Sequence, residues 1–577
     1  MIKSKVAVNK LFNLVRLDVK SIMKNCTFLF LFLATLNGCG TKSPDKDETK
    51  LVRDDQRPNI LWITTEDMSP HLPSYGDSTV TTPNIDKLAR EGVRYTNVYS
   101  VSGVCAPGRH ALITGMYPSN TGAMHMRNWK RTSALDEIKD PELLNIPTYE
   151  AVLPPEAKCF TEFMRARGYY CTNNSKEDYQ FRTPKSAWNE SNNSAHWRNR
   201  PEGVPFFAVF NIMDTHESRV WKREKDPLSV DPSEVPVPPY YPDTEVIRKD
   251  IARNYNNIIL MDQEVGKILD QLEEDGLLEN TIVFFFSDHG SGLPRSKRWV
   301  YDSGLKVPMI IRYPNKKAAG ITNNELVSFV DFAPSMLSLT DIPIPEYMQG
   351  LPFIGEQKAS PRRYVFATRD RMDPAQEKIR AVRDKRFKYI RNLEPDKPWV
   401  RFLPYRDRMN LMGEMYRLDD AGKLNDDHKW FWAKSKPGEE LYDTEVDPFE
   451  MNNLASDPAY IDKKKELRRA LEQWQTHYRD LGLISETEVI KLLWPPKGEQ
   501  PVTAAPEIEI SKMERDLIRL NLTSATQGAS IVYRTDTSSR WKLYHEPINI
   551  PVSAQIEVLA HRIGFKESEK VLRTFKN

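Results

Sequence analysis

Residues able to attack, to hold an anion and to hold a cation recur in this chain in short, separate clusters. In VSGVCAPGRHALITG, residues 101–115, Cys105, Pro107 and Arg109 form C-x-P-x-R, followed by apolar Ala111, Leu112 and Ile113 and then by Thr114-Gly115. A guanidinium offers fixed, forked donors to an anion whose charge is spread over several oxygens. The thiol four residues ahead of it is either its reactive companion or a buried structural cysteine beside a proline turn. Two apolar β-type runs end in acidic residues: Asn59 to Thr64 leads to Glu66 and Asp67, and Thr281 to Phe286 leads to Asp288 and His289. Carboxylates at the ends of such runs suit a hard cation better than the imidazole of His289 does, and a solvated acidic turn is the alternative. A third run, PFFAVFNIMDTHES, ends with Asp214 and His216, and an imidazole with an ordinary pKa of about 6.5 suits proton transfer.

The C-x-P-x-R cluster with its Thr-Gly resembles the signature of the type I sulfatases. The resemblance implies that Cys105 is oxidised to formylglycine before folding. In that family the aldehyde hydrate attacks sulfur, and its later collapse releases sulfate and restores the aldehyde. It further implies a Ca2+ site built from Glu66, Asp67, Cys105 (as formylglycine), Asp288 and His289, a sulfate cradle of Arg109, Lys176 and Lys297, and His216 as the residue that contacts sulfate and protonates the leaving sugar oxygen. Some positions depart from the family pattern. Glu66 stands where the family has an aspartate, and His289 where many members have asparagine. Lys176 falls on the lysine of the family's G-K-W-H, but Asp178 falls where its histidine would be, which implies an altered sugar pocket. Lys306, in the turn after Lys297, takes a structural role on this resemblance. Substrate contacts are expected from His125, His196, Arg369 and Arg371. Each has a structural alternative: His125 as a packed loop histidine, His196 as part of a packed edge, and the two arginines, with Asp370 between them, as surface salt pairs.

These side chains need a scaffold. Continuous apolar runs at 59–64, 205–212 and 281–286 suit central parallel strands buried on both faces, and open α/β sheets bind ligands at the C-terminal ends of such strands. Thr82-Pro83 starts a helix, and residues 158–181 read as helix, a stop at Gly168, then strand. Residues 246–275 carry Ile251, Tyr255, Ile258, Met261, Val265 and Ile268 at helical spacing, a core face. The resemblance extends from about residue 57 to 490. It implies an α/β, alkaline-phosphatase-like sulfatase fold: a large mixed β-sheet domain over 58–360 and a smaller C-terminal α+β subdomain over 361–493. Beyond Trp494-Pro495-Pro496 the short alternating runs EIEI, IRLNL, SIVYRT and IEVLAHR predict a small β-sandwich over 500–577, an accessory domain.

The 577 residues suggest two to four structural units. A net charge of +2 gives no basic footprint to recommend a nucleic acid as partner. Residues 27–36, TFLFLFLATL, form an apolar run too short to span a membrane and end in Leu36-Asn37-Gly38-Cys39. This resembles a bacterial lipobox, so residues 1–38 are expected to be a signal peptide, with a more usual start at Met23. Cys39 would be the acylated residue and 39–57 a tether to a membrane; an ordinary buried or interfacial helix is the alternative. The expected location is the periplasm or the outer membrane and cell surface of a Gram-negative bacterium. Cys159 and Cys171 are either one disulfide or two free buried thiols. The function expected is hydrolysis of sulfate esters on a sulfated polysaccharide or its oligosaccharides, ulvan-like, after maturation by a formylglycine-generating or anaerobic sulfatase-maturing enzyme. The alternatives are a heparan-type N-sulfatase, a phosphonate or phosphodiester hydrolase, and a non-catalytic glycan-binding surface lipoprotein.

Overall fold

The computed structural model describes residues 57–128, 144–514 and 516–575. The leader 1–38, Cys39 and the tether up to residue 56 lie outside the described residues.

Among the described residues nine strands build the large sheet: β1 (Asn59–Thr65), β2 (Val93–Tyr99), β3 (Tyr170–Asn174), β4 (Glu190–Ser191), β5 (Phe206–Ile212), β6 (Thr281–Ser287), β7 (Lys306–Arg312), β8 (Ile321–Asn323) and β9 (Val327–Ser328). Strands β4, β3, β5, β1 and β6 run parallel in that order, with Ile60 facing Phe207 on one side of β1 and Ile282 on the other. Strand β7 then enters antiparallel to both β6 and β2, and β8 and β9 pair parallel to β2.

The apolar runs of β1 and β6 are continuous because both faces of the sheet are covered. Ile60 and Trp62, with Ile282, Phe284 and Phe286, point into one core. Leu61 and Ile63, with Val283 and Phe285, point into the other. The helices that cover the sheet include α1 (Pro83–Glu91), α2 (Cys105–Thr114), α3 (Phe160–Ala166), α4 (Glu245–Glu274) and α5 (Phe332–Leu339). Helices α2, α3 and α5 supply Leu112, Phe160 and Phe332 to the first core. The second receives Ile85 and Leu88 of α1 and Ile251, Tyr255, Ile258 and Val265 of α4, the face predicted for that helix.

A second sheet, antiparallel throughout, is made of β10 (Val365–Arg369), β11 (Ile379–Arg383), β12 (Phe387–Asn392) and β13 (Glu439–Asp443). Helix α6 (Ile461–His477) adds Leu467, Leu471 and Trp474 to the cluster holding Val382, Tyr389 and Leu441 of this sheet. Towards the C-terminus two small antiparallel sheets follow: β14 (Glu507–Glu514), β15 (Leu517–Thr523) and β18 (Ile548–Pro551), and β16 (Ser530–Arg534), β17 (Lys542–Tyr544), β19 (Gln555–His561) and β20 (Val571–Thr574). Their inner faces meet through Leu520, Leu522, Ile531, Ile550, Ile556 and Val558. The Trp494 indole donates to Gly564 O at 3.0 Å, and Arg165 to Trp541 O at 3.0 Å, joining these sheets to the rest. Cys159 and Cys171 are free, buried thiols, which settles the choice between a disulfide and separate cysteines; burial pushes the Cys171 thiol up to about 12.

Candidate active site

The C-terminal ends of β1, β5, β6 and β3 converge at one edge of the large sheet and present Glu66 and Asp67, Asn211 and His216, Asp288 and His289, and Lys176. The chain after β2 returns to this edge and begins α2 at Cys105, which is fully buried. Gly108 of the CAPGR turn lets α2 approach closely: a Cβ there would stand 3.0 Å from both Asp288 O and Ser100 Oγ. Gly292, just past His289, does the same for the opposite wall, where a Cβ would lie 3.0 Å from Glu217 Cα and 3.1 Å from Asp67 Oδ2.

Arg109, one turn into α2, ties three strand ends together. Its Nε donates to Asp288 Oδ2 at 3.1 Å, Nη1 to Asn211 Oδ1 at 2.6 Å, and Nη2 to Glu66 Oε1. Lys176 Nζ donates to the other oxygen of Glu66. Lys297 Nζ donates to Asp67 Oδ2 at 2.5 Å and stands 3.0 Å from Glu217 Oε1. Arg298 grips Glu217 with two bonds of 2.8 Å, and the Glu217 N–H donates to Asp67 Oδ2 at 2.7 Å.

Burial works against every charge here, so the partners decide the protonation states. Glu66 is desolvated, yet Arg109 and Lys176 hold its carboxyl well below the usual range. Lys297 and the two histidines do the same for Asp67. Asp288, enclosed and close to Glu66, is raised instead. Asp67 and Glu217 keep Lys297 charged despite its burial, and Glu217 falls to about 2 beside Arg298 and Lys297. Burial, reinforced by Lys297, lowers His216 to about 4. His216 Nδ1 lies 2.8 Å from Ser218 Oγ and 3.2 Å from the Ser218 N–H.

The donor set fits a hard divalent cation. One ligand atom each from Glu66, Cys105 and Asp288, and likewise from Asp67, Cys105 and His289, lie within 4.8 Å of one another. Among the described residues, Asp67 Oδ1 and His289 Nε2 are buried with no hydrogen-bond partner although they are only 2.9 Å apart. Two enclosed polar atoms pointed together without hydrogen-bond geometry are what a cation site requires.

The residues expected to catalyse and to bind metal, Cys105, Arg109, Lys176, His216, Lys297, Glu66, Asp67, Asp288 and His289, are thus brought together. The four expected to touch substrate through the outer wall are placed differently. His196 turns to the end of α4, with Nε2 3.0 Å from Gln271 Oε1 and its ring against Trp197 and Phe210. His125 is buried, accepts from the Arg371 N–H at 3.0 Å and is lowered to about 4 by burial. Arg369 lies over the Trp299 ring and pairs with Glu377 at 3.2 Å; Arg371 makes two bonds of 2.8 Å with Glu486. These arginines are internal pairs rather than a substrate wall or surface salt links, because the second sheet packs its first strand against the loop after Lys297. Asp370, between them, pairs with Arg380 at 3.0 Å.

Glu217, Arg298 and Asn211 belong to the cluster and were not singled out in the sequence. Glu217 directly follows His216 and Arg298 directly follows Lys297, so adjacency was the available signal. Tyr405, from the loop after β12, adds an aromatic wall, its ring centroid 6.2 Å from that of His216.

Residues 58–342 match the family model described as sulfatase, and residues 295–429 match the C-terminal model described as N-sulphoglucosamine sulphohydrolase. An "Ulvan-active sulfatase" of Formosa agariphila is 45% identical over 557 residues, covering 89% of this chain and 91% of that one. A human "N-sulphoglucosamine sulphohydrolase" is 24% identical, covering 73% and 90%. A solved structure of an enzyme in complex with its substrate D-glucosamine-2-N,6-O-disulfate superposes with a TM-score of 0.52 at 18% identity, covering 74% and 99%.

Proposed function

Because the chain belongs to the sulfatase family, with its alkaline-phosphatase-like fold, and is a sulfuric ester hydrolase, we propose that it removes O-sulfate from a sulfated polysaccharide or its oligosaccharides, an ulvan-like algal glycan being the substrate class. The printed name of the 45%-identical relative supports the glycan. The observation that carries the chemistry is the convergence of Arg109, Lys176 and Lys297 on the carboxylates around Cys105 at the start of α2.

Formylglycine at position 105 supplies a hydrated aldehyde as nucleophile. Glu66, Asp67, Asp288 and His289 would hold Ca2+, which supplies positive charge to activate that nucleophile and to offset charge on the substrate oxygens. The remaining work falls to residues of the chain itself. Arg109 is anchored at three points, so its forked donors need little reorganisation to meet a sulfate. Lys176 and Lys297 can exchange carboxylate oxygens for sulfate oxygens from two sides. His216 offers a ring N–H to the bridging oxygen, and an arriving anion raises its pKa toward the range in which it gives up that proton usefully.

The same reading makes the protein an exported, lipid-anchored enzyme of the periplasm or outer membrane, supported by residues 27–36 and Cys39 of the sequence. It also makes a formylglycine-forming enzyme its maturation partner. Sulfate release from ulvan oligosaccharides, measured by ion chromatography, tests the function. Matured protein is expected to release sulfate and Cys105→Ala protein none; equal release by both would contradict the reading.

A further inference from the structure

Two loops meet beside Lys176 in an arrangement that the sulfate chemistry does not use. Arg127 and Asp178 face each other across them, Nη2 to Oδ2, at 3.7 Å, and Asp178 Oδ2 is 4.0 Å from Lys176 Nζ. Both residues adopt left-handed backbone, φ 60° for Arg127 and 58° for Asp178. Side chains other than glycine adopt it at a cost and keep it where the surroundings enforce it.

Gln180 does the enforcing. Its Oε1 accepts from the Asn128 N–H at 3.1 Å, its Nε2 donates to His125 O, and its carbonyl accepts from Ala151 N at 2.9 Å. The Met126 N–H is also fixed, to Arg371 O at 2.8 Å. The loops are therefore clamped so that Arg127 and Asp178 are opposed.

The pair is held in place yet unsatisfied. Among the described residues Asp178 Oδ2 is buried without a hydrogen-bond partner, enclosed between the two cations. The side chain as a whole is still 16% exposed. Burial opposes its charge, but Arg127 and Lys176 keep the carboxyl below its ordinary range. A carboxylate of this kind can only accept, and a sugar hydroxyl is a neutral donor that it can accept from.

We propose that Asp178 is the specificity-determining residue that accepts a hydrogen bond from the ring hydroxyl next to the sulfated carbon, with Arg127 as its positioning residue. The proposal rests on the reading of the site as a pocket for a sulfate ester of a sugar. Lys176 is the link: it belongs to the sulfate cradle and stands next to Asp178, so one sugar can present its sulfate to the first and a neighbouring hydroxyl to the second.

The experiment compares kcat/KM for a sulfated oligosaccharide, its analogue lacking the vicinal hydroxyl, and an aryl sulfate. Asp178→Asn is expected to lower the oligosaccharide value by ~30-fold, the scale of a lost hydrogen bond to a charged acceptor, and the aryl sulfate value by less than about threefold. Wild-type enzyme on the deoxy analogue should show the same loss, and Asp178→Asn should add nothing to it. Arg127→Met should raise KM for the oligosaccharide more than it lowers kcat, and Arg127→Lys should recover part of the change. Parallel losses on oligosaccharide and aryl sulfate, or full activity of wild type on the deoxy analogue, would overturn the proposal. Wild type that cleaves the aryl sulfate but no sulfated sugar would remove the sugar reading itself, a different failure from the first two.

Discussion

Arg109 Nε donates to Asp288 Oδ2 at 3.1 Å, and this one bond fastens the first turn of α2 to the end of β6. Through its other two nitrogens the same guanidinium reaches Asn211 near the end of β5 and Glu66 after β1. Three separate stretches of chain are thus registered against the residue that follows Val104.

Lysine retains the charge of Arg109 but lacks the fork that spans these partners. Arg109→Lys is therefore expected to lower kcat by ~10²–10³-fold, the range for loss of an aligned electrostatic donor. Arg109→Ala should also destabilise the fold by ~3–5 kcal/mol, because Glu66 and Asp288 lose a buried countercharge. Steady-state kinetics and thermal unfolding check both; a lysine variant within tenfold of wild type would contradict the role.

Calcium should stabilise the native state whether or not Cys105 is matured, since the carboxylates are already gathered. At a concentration one hundred times its Kd, a ligand specific for the native state adds ~2.7 kcal/mol. The unfolding temperature should rise with Ca2+ and fall with a chelator, and Asp67→Asn should abolish the difference. An unchanged temperature in wild type would remove calcium from the account.

His110 is enclosed, its Nδ1 2.9 Å from Tyr179 O and its Nε2 2.8 Å from Thr121 Oγ1. Burial lowers it to about 4, against about 6.5 in an unfolded chain. The unfolded state therefore binds the extra proton, so the contribution is complete above about pH 6.5 and is lost as pH falls through about 4. Up to ~3 kcal/mol is involved, at 1.36 kcal/mol per unit. His125 and His216, also about 4, act in the same direction. Stability measured between pH 4.5 and 6.5 should fall less steeply in His110→Gln than in wild type; equal slopes would contradict this.

If Cys39 is the acylated residue, metabolic labelling with a fatty acid should mark the wild-type protein in membranes and leave Cys39→Ala unlabelled. Label retained in the variant would move the anchor elsewhere.

Much of this site was legible because parallel strands buried on both faces must be continuously apolar. The abrupt change from Ile63 to Glu66 and Asp67, and from Phe286 to Asp288, marks where each strand leaves the core. The signature of α2 identified Cys105 and Arg109 for the same edge. Glu217 and Arg298 escaped because a buried ion pair has no period or motif; only the fold shows that Lys297 has two carboxylates to share with its neighbour. Arg369 and Arg371 were misplaced for the converse reason. A run of charges in sequence looks solvent-facing, and nothing in it reveals that Trp299, Glu377 and Glu486 will enclose it. The departure at Asp178 was visible, but not the clamp at Gln180 that turns it toward Arg127.

The central claim is that Cys105 is a precursor rather than a structural thiol, and mass spectrometry of the peptide spanning residues 98–127 tests it most directly. In protein made with a sulfatase-maturing enzyme, the account predicts a loss of about 18 Da at Cys105, as thiol becomes aldehyde. An unmodified thiol in protein that nonetheless releases sulfate from the glycan would contradict it.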